Sequence, residues 1–124
     1  MYSSHLAQAA YRQADAPTRS ERGTEYAAFE RITARLKQAE ANPQAFKARA
    51  QAVFENRQLW AILAKDVMDP DNALPPPLRA QIVYLFEFTQ VQSRAALKDK
   101  ASLMPMIEVN TAIMRGLRGE KGTP

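Results

Sequence analysis

The residues able to do chemistry in this chain are few, and their spacing argues against catalysis. His5 is the one side chain with an ordinary pKa near neutrality, and it falls close to the start of the chain, where a solvent-exposed role is expected. Cysteine is absent, so thiol nucleophiles, disulfides and zinc-ribbon sites are all excluded. No phosphate-cradling glycine loop, dinucleotide fingerprint or paired-histidine metal motif occurs. Asp69, Asp71 and Asn72 resemble the opening of a calcium loop. Ala73 stands where the next oxygen ligand belongs, however, and the turn glycine is missing, which leaves a plain acidic turn. Gly116-Leu117-Arg118-Gly119 has the bare form of an RNA-clamping loop, a form that requires a sheet around it. The expectation is a protein with no enzymatic activity, no metal and no cofactor.

Two polar residues on apolar stripes carry more information. Asn110 interrupts the stripe Leu103, Ile107, Ile113, Met114, Leu117, and a buried amide must find partners, so it either fixes helix register or sits where another molecule completes the site. Arg57 lies one turn before Trp60, where its guanidinium could cover the indole or pair with a carboxylate.

Helices must position these residues. Prolines punctuate the chain at helix-length intervals, glycine is confined mainly to the end, and no stretch alternates apolar and polar residues with the turn chemistry of a sheet. Five helical segments are expected: about Ser3 to Ala14, Thr18 to Ala41, Pro43 to Met68, Pro75 to Lys98 and Leu103 to Leu117. Asn42 is expected to cap the third segment with Pro43 in its first turn, and Phe46 to face inward with Val53, Trp60, Leu63 and Val67. Ser102 is expected to cap the last segment, which Gly116 or Gly119 would end. The fourth segment is apolar round most of its circumference from Ile82 to Val91, which suits a central helix or one with a face to spare for a partner.

The 124 residues fit one domain, with 46% hydrophobic and 24% charged residues. The expected fold is all-α, a single-domain helical bundle of four to five helices over residues 1–118, followed by a disordered tail at 119–124. Met1 to Gln13 carries His5 and Arg12 among alanines, so neither a signal peptide nor a membrane span is expected, and the setting expected is cytoplasmic. The net charge of +4 is scattered among acidic residues along helix faces, which favours an acidic protein partner over nucleic acid.

The order Asn56-Arg57-Gln58-Leu59-Trp60, Leu63, Asp66, Asn72-Ala73-Leu74-Pro75 and Leu78-Arg79-Ala80 resembles the core signature of FlaF proteins. Pro105 to Asn110 and Ile113-Met114-Arg115-Gly116-Leu117 resemble the closing helix of that family, and Tyr11 and Thr24-Glu25-Tyr26 also fit. The sequence departs from the family in having Phe86-Glu87-Phe88 where members often carry tryptophan. The resemblance implies a non-enzymatic factor for flagellin production and export, working with the FlbT regulator. On this reading the protein binds flagellin as an export chaperone; the alternative is a post-transcriptional regulator of flagellin messenger RNA, acting directly or through FlbT. A third reading is an adaptor between flagellin synthesis and export. Candidate partner-binding residues are Trp60, Leu63, Tyr84, Phe88, Ile113, Met114 and Leu117, and the structural signature comprises Asn56, Arg57, Asn72, Pro75, Arg79 and Asn110.

Overall fold

The computed structural model describes the backbone of residues 16–117 and the side chains of residues 26–116. Four helices account for it: α1 (Ala16–Ala41), α2 (Phe46–Met68), α3 (Pro76–Asp99) and α4 (Met104–Leu117). The described residues contain no strand. The segment from Ser3 to Ala14 and the tail at 119–124 lie outside the described residues. Helix α1 packs on α2 and α4, and α2 packs on α3. The backbones of α3 and α4 lie farther apart than those of these pairs, and the two helices meet through side chains, Ile82 with Ile113 in one cluster and Ser93 with Met106 in a buried contact.

Each helix starts or stops for a local reason. Asn42 works on α1 and not on α2: its Nδ2 donates to the Gln38 carbonyl at 3.1 Å. Asn42 to Ala45 form a turn, and α2 starts three residues later than the proline pattern suggests, after Ala45, with no side-chain cap. The turn before α3 is built by Asn72, whose Oδ1 accepts the Leu74 amide at 2.9 Å while its Nδ2 donates to the Asp66 carbonyl at 3.1 Å. Asp69 Oδ1 likewise accepts the Asp71 amide at 2.9 Å, the self-bonding of an ordinary acidic turn. Pro75 is the N-cap of α3, and its carbonyl receives the Leu78 and Arg79 amides. Helix α3 stops at Lys100, which takes the left-handed conformation at φ 58°.

The start of α4 is capped from another helix. Glu40, near the end of α1, accepts the Leu103 amide at 2.8 Å and the Ser102 hydroxyl at 2.7 Å. Ser102 Oγ in turn accepts the Met104 amide at 3.0 Å, so the expected cap residue takes part, but a carboxylate 63 residues earlier shares the task. Arg49, buried on α2, ties the same corner by donating to the Ala101 carbonyl and pairing with Glu40 at 3.7 Å. Gly116 does not end α4; it is buried inside the helix.

The core is two apolar clusters with a polar layer between them. One cluster gathers Phe29, Trp60, Leu63, Val67, Leu74, Leu78, Ile82 and Ile113. The other gathers Leu36, Val53, Leu103, Met106, Ile107 and three alanines. Between them every helix buries a polar residue: Thr33 on α1, Asn56 on α2, Thr89 and Ser93 on α3, Asn110 on α4. Phe46 is not part of either cluster. It is 60% exposed at the bundle end, with the Lys100 ammonium 6.0 Å above its ring.

Candidate partner-binding site

The polar layer is organised around Asn110. Its Oδ1 accepts the indole N–H of Trp60 at 2.9 Å, and its Nδ2 lies 2.8 Å from Asn56 Oδ1 and 3.1 Å from Thr33 Oγ1. Asn56 Nδ2 and Ser93 Oγ contact the Met106 sulfur at 3.6 and 3.5 Å, within reach of weak sulfur hydrogen bonds. Asn110 is fully buried, and its amide spends both its donor and its acceptor ends on protein atoms, which is what makes burial of an amide tolerable. This is the register-setting role; the site that another molecule would have to complete is not at Asn110.

Arg57 takes neither of the roles open to it in sequence. Its Nε donates to Gln90 Oε1 on α3 at 2.8 Å, while the indole of Trp60 is met by the edge of Phe29 at a centroid separation of 5.7 Å and an angle of 83°. Arg79, at the start of α3, has its Nε buried with no hydrogen-bond partner, as has the Thr89 hydroxyl.

The candidate binding residues divide sharply by depth. Trp60, Leu63 and Ile113 are core side chains, each 8% exposed or less, so in this closed form they hold the bundle together and do not line a groove. Met114 is half-buried against the Trp60 cluster. The side chain of Leu117 lies outside the described residues. Tyr84 is 64% exposed, and Phe88 is half-buried.

The candidate binding residues read from the sequence did not include Val91, which is 53% exposed and completes a stripe with Tyr84 and Phe88 at spacings of four and three on α3. The same spacing was visible in sequence, but a helix apolar nearly all round does not show which stripe faces out. Gln90 fixes that orientation, because it meets Arg57 on α2. Phe88 is two residues away, roughly 200° round the helix, and so lies on the flank turned from α2 toward α4. The result is an exposed aromatic and aliphatic stripe beside the two helices whose backbones are most widely spaced, a surface that a single amphipathic helix could cover.

Among the described residues no helix is long and apolar enough to cross a membrane, and no group of acidic residues or histidine is placed to hold a metal ion. A family model described as flagellar protein FlaF matches residues 7–117 of this chain. Neither the curated proteins nor the solved structures contain a match.

Proposed function

Because this chain belongs to the FlaF family of flagellar proteins, we propose that it binds flagellin in the cytoplasm as an export chaperone, without catalysis and without a cofactor. The observation that carries this reading is the Tyr84, Phe88 and Val91 stripe on the flank of α3 turned toward α4. An unassembled subunit whose chain ends form amphipathic helix needs its apolar face covered until assembly, and a stripe at four- and three-residue spacing is matched to such a face. Met114, half-buried at the Trp60 cluster, has the flexible side chain that adapts to a client. Trp60, Leu63 and Ile113 would meet the client only if α3 moved away from α4, the pair whose backbones are most widely spaced.

The net charge of +4 aids encounter with an acidic client through steering, while the apolar stripe sustains the complex once formed. The FlbT regulator is a second partner consistent with the family. The test is titration of purified protein with flagellin monomer and, separately, with flagellin messenger RNA at increasing salt. A discrete protein complex that survives moderate salt supports the reading. Binding of RNA with a steep salt dependence, and of flagellin not at all, replaces it with post-transcriptional regulation.

A further inference from the structure

On the side of the bundle opposite the α3/α4 seam, at the end where α1 and α2 are joined, the two helices leave a cavity of about 360 Å³, with Ala39, Ala45, Ala48 and Ala52 in its lining and Arg35, Gln38 and Gln51 among the polar residues at its edge. A volume of this size lies at the lower end of ligand-sized pockets, room for one or two large apolar side chains. Ile62 is 68% exposed and recurs on the same edge of α2, seven residues beyond Glu55 and fourteen beyond Ala48. The two apolar points are therefore about 21 Å apart along the helix. That length belongs to a helical segment of about four turns and not to a small molecule.

Charge along this edge is uneven. Glu55 is held by Arg35 and Gln51, and its carboxyl lies below the ordinary range because of the Arg35 hydrogen bonds first and Gln51 second. Asp66 is the other carboxylate on the edge. Against them stand Arg31, Arg35, Lys47 and Lys65, of which Arg31, Lys47 and Lys65 are exposed and form no ion pair within the described residues. The surface is thus an apolar cavity and a distant apolar anchor flanked by four cations and two carboxylates.

We propose that the α1/α2 face docks an amphipathic helix of a second protein, with large apolar residues on one face, one of them seated over Ala48 and another against Ile62, and acidic residues on the flanks. Such a site makes the bundle two-sided. A client on α3 and an acidic helix on α1/α2 would be held at once, each without blocking the other, which is the geometry of an adaptor.

The experiment uses the full chain and a labelled synthetic helix carrying leucines on one face and glutamates on its flanks, followed by fluorescence anisotropy. Its controls are the same helix with lysines in place of the glutamates, and a single-stranded RNA. The glutamate helix binds and the lysine helix does not. Ala48→Trp, which fills the cavity, weakens binding about tenfold or more. Ile62→Asp, at an exposed position remote from the cavity, does the same and guards against a folding defect in the first variant. Both variants keep wild-type affinity for flagellin, which separates this site from the one on α3. Equal binding of the two helices, indifference to both substitutions, or displacement of the glutamate helix by RNA overturns the proposal.

Discussion

Trp60 and Asn110 are joined by an indole N–H to amide oxygen bond of 2.9 Å across the diagonal of the bundle, although α2 and α4 are not packing neighbours. The same amide reaches Thr33 on α1, so one residue on the last helix fixes the relative register of α1, α2 and α4. Apolar clusters on either side would tolerate sliding by a turn; the amide layer has only one arrangement in which its groups are satisfied.

Trp60→Phe removes the N–H together with the pyrrole part of the indole, leaving Asn110 Oδ1 buried without its donor and a small gap beside it. The expected cost is about 2–4 kcal/mol, against about 3–5 kcal/mol for Trp60→Ala, which opens a larger cavity. Urea denaturation reads both. A Trp60→Phe variant within about 0.5 kcal/mol of the parent would show that the bond contributes nothing net.

Glu40 sits below its ordinary pKa of 4.5 because of the Ser102 hydroxyl first, then the Leu103 amide and Arg49, with burial opposing them. Its folded pKa is thus lower than its unfolded one, so the stabilisation is present above the unfolded value and is lost as the pH falls through the folded value. Glu55 acts in the same direction through Arg35. At neutral pH Glu40→Ala should cost about 1 kcal/mol, the usual worth of a helix cap. The acid limb of a melting-temperature profile should be shallower in that variant than in the parent, and parallel limbs would remove Glu40 from the account.

Thr89 is 1% exposed and its hydroxyl has no hydrogen-bond partner. Replacing it with valine, close to it in shape, should leave stability unchanged or raise it by up to about 1 kcal/mol. A loss of more than that amount in thermal melts would mean the hydroxyl is satisfied in solution.

Tyr84→Asp and Val91→Asp place charges on exposed positions, so neither should lower the melting temperature appreciably. If the α3 stripe holds flagellin, each should weaken that complex by about 2 kcal/mol or more, the mark of a binding hot spot. Calorimetric titration of the folded variants with flagellin decides it; wild-type affinity in both would move the site elsewhere.

Helix content and the proline-marked start of α3 were legible in the sequence because they depend on neighbours a few residues apart. The role of Asn42 was not, since an asparagine at a break serves either flanking helix equally well, and the choice depends on where the chain turns. The Glu40 cap on α4 joins residues separated by 63 positions, beyond any local pattern. Asn110 announced itself by interrupting an apolar stripe, yet nothing in that stripe named Trp60 as its partner. The division of Trp60, Leu63 and Ile113 from Tyr84 was invisible for a related reason. Periodicity finds apolar faces, and α3 has apolar residues on more than one face.

The bonds from Asn110 to Trp60, Asn56 and Thr33 span 50, 54 and 77 residues of sequence. Individual helices form without such closure, whereas the layer, like the apolar clusters that join Phe29 with Ile113 and Leu36 with Ile107, is complete only once α4 has docked on the rest. The expectation is that it forms late in folding, after the transition state. Loss of the Asn110 amide should then speed unfolding while leaving the folding rate nearly unchanged, so that the layer lengthens the life of the folded bundle without hastening its birth.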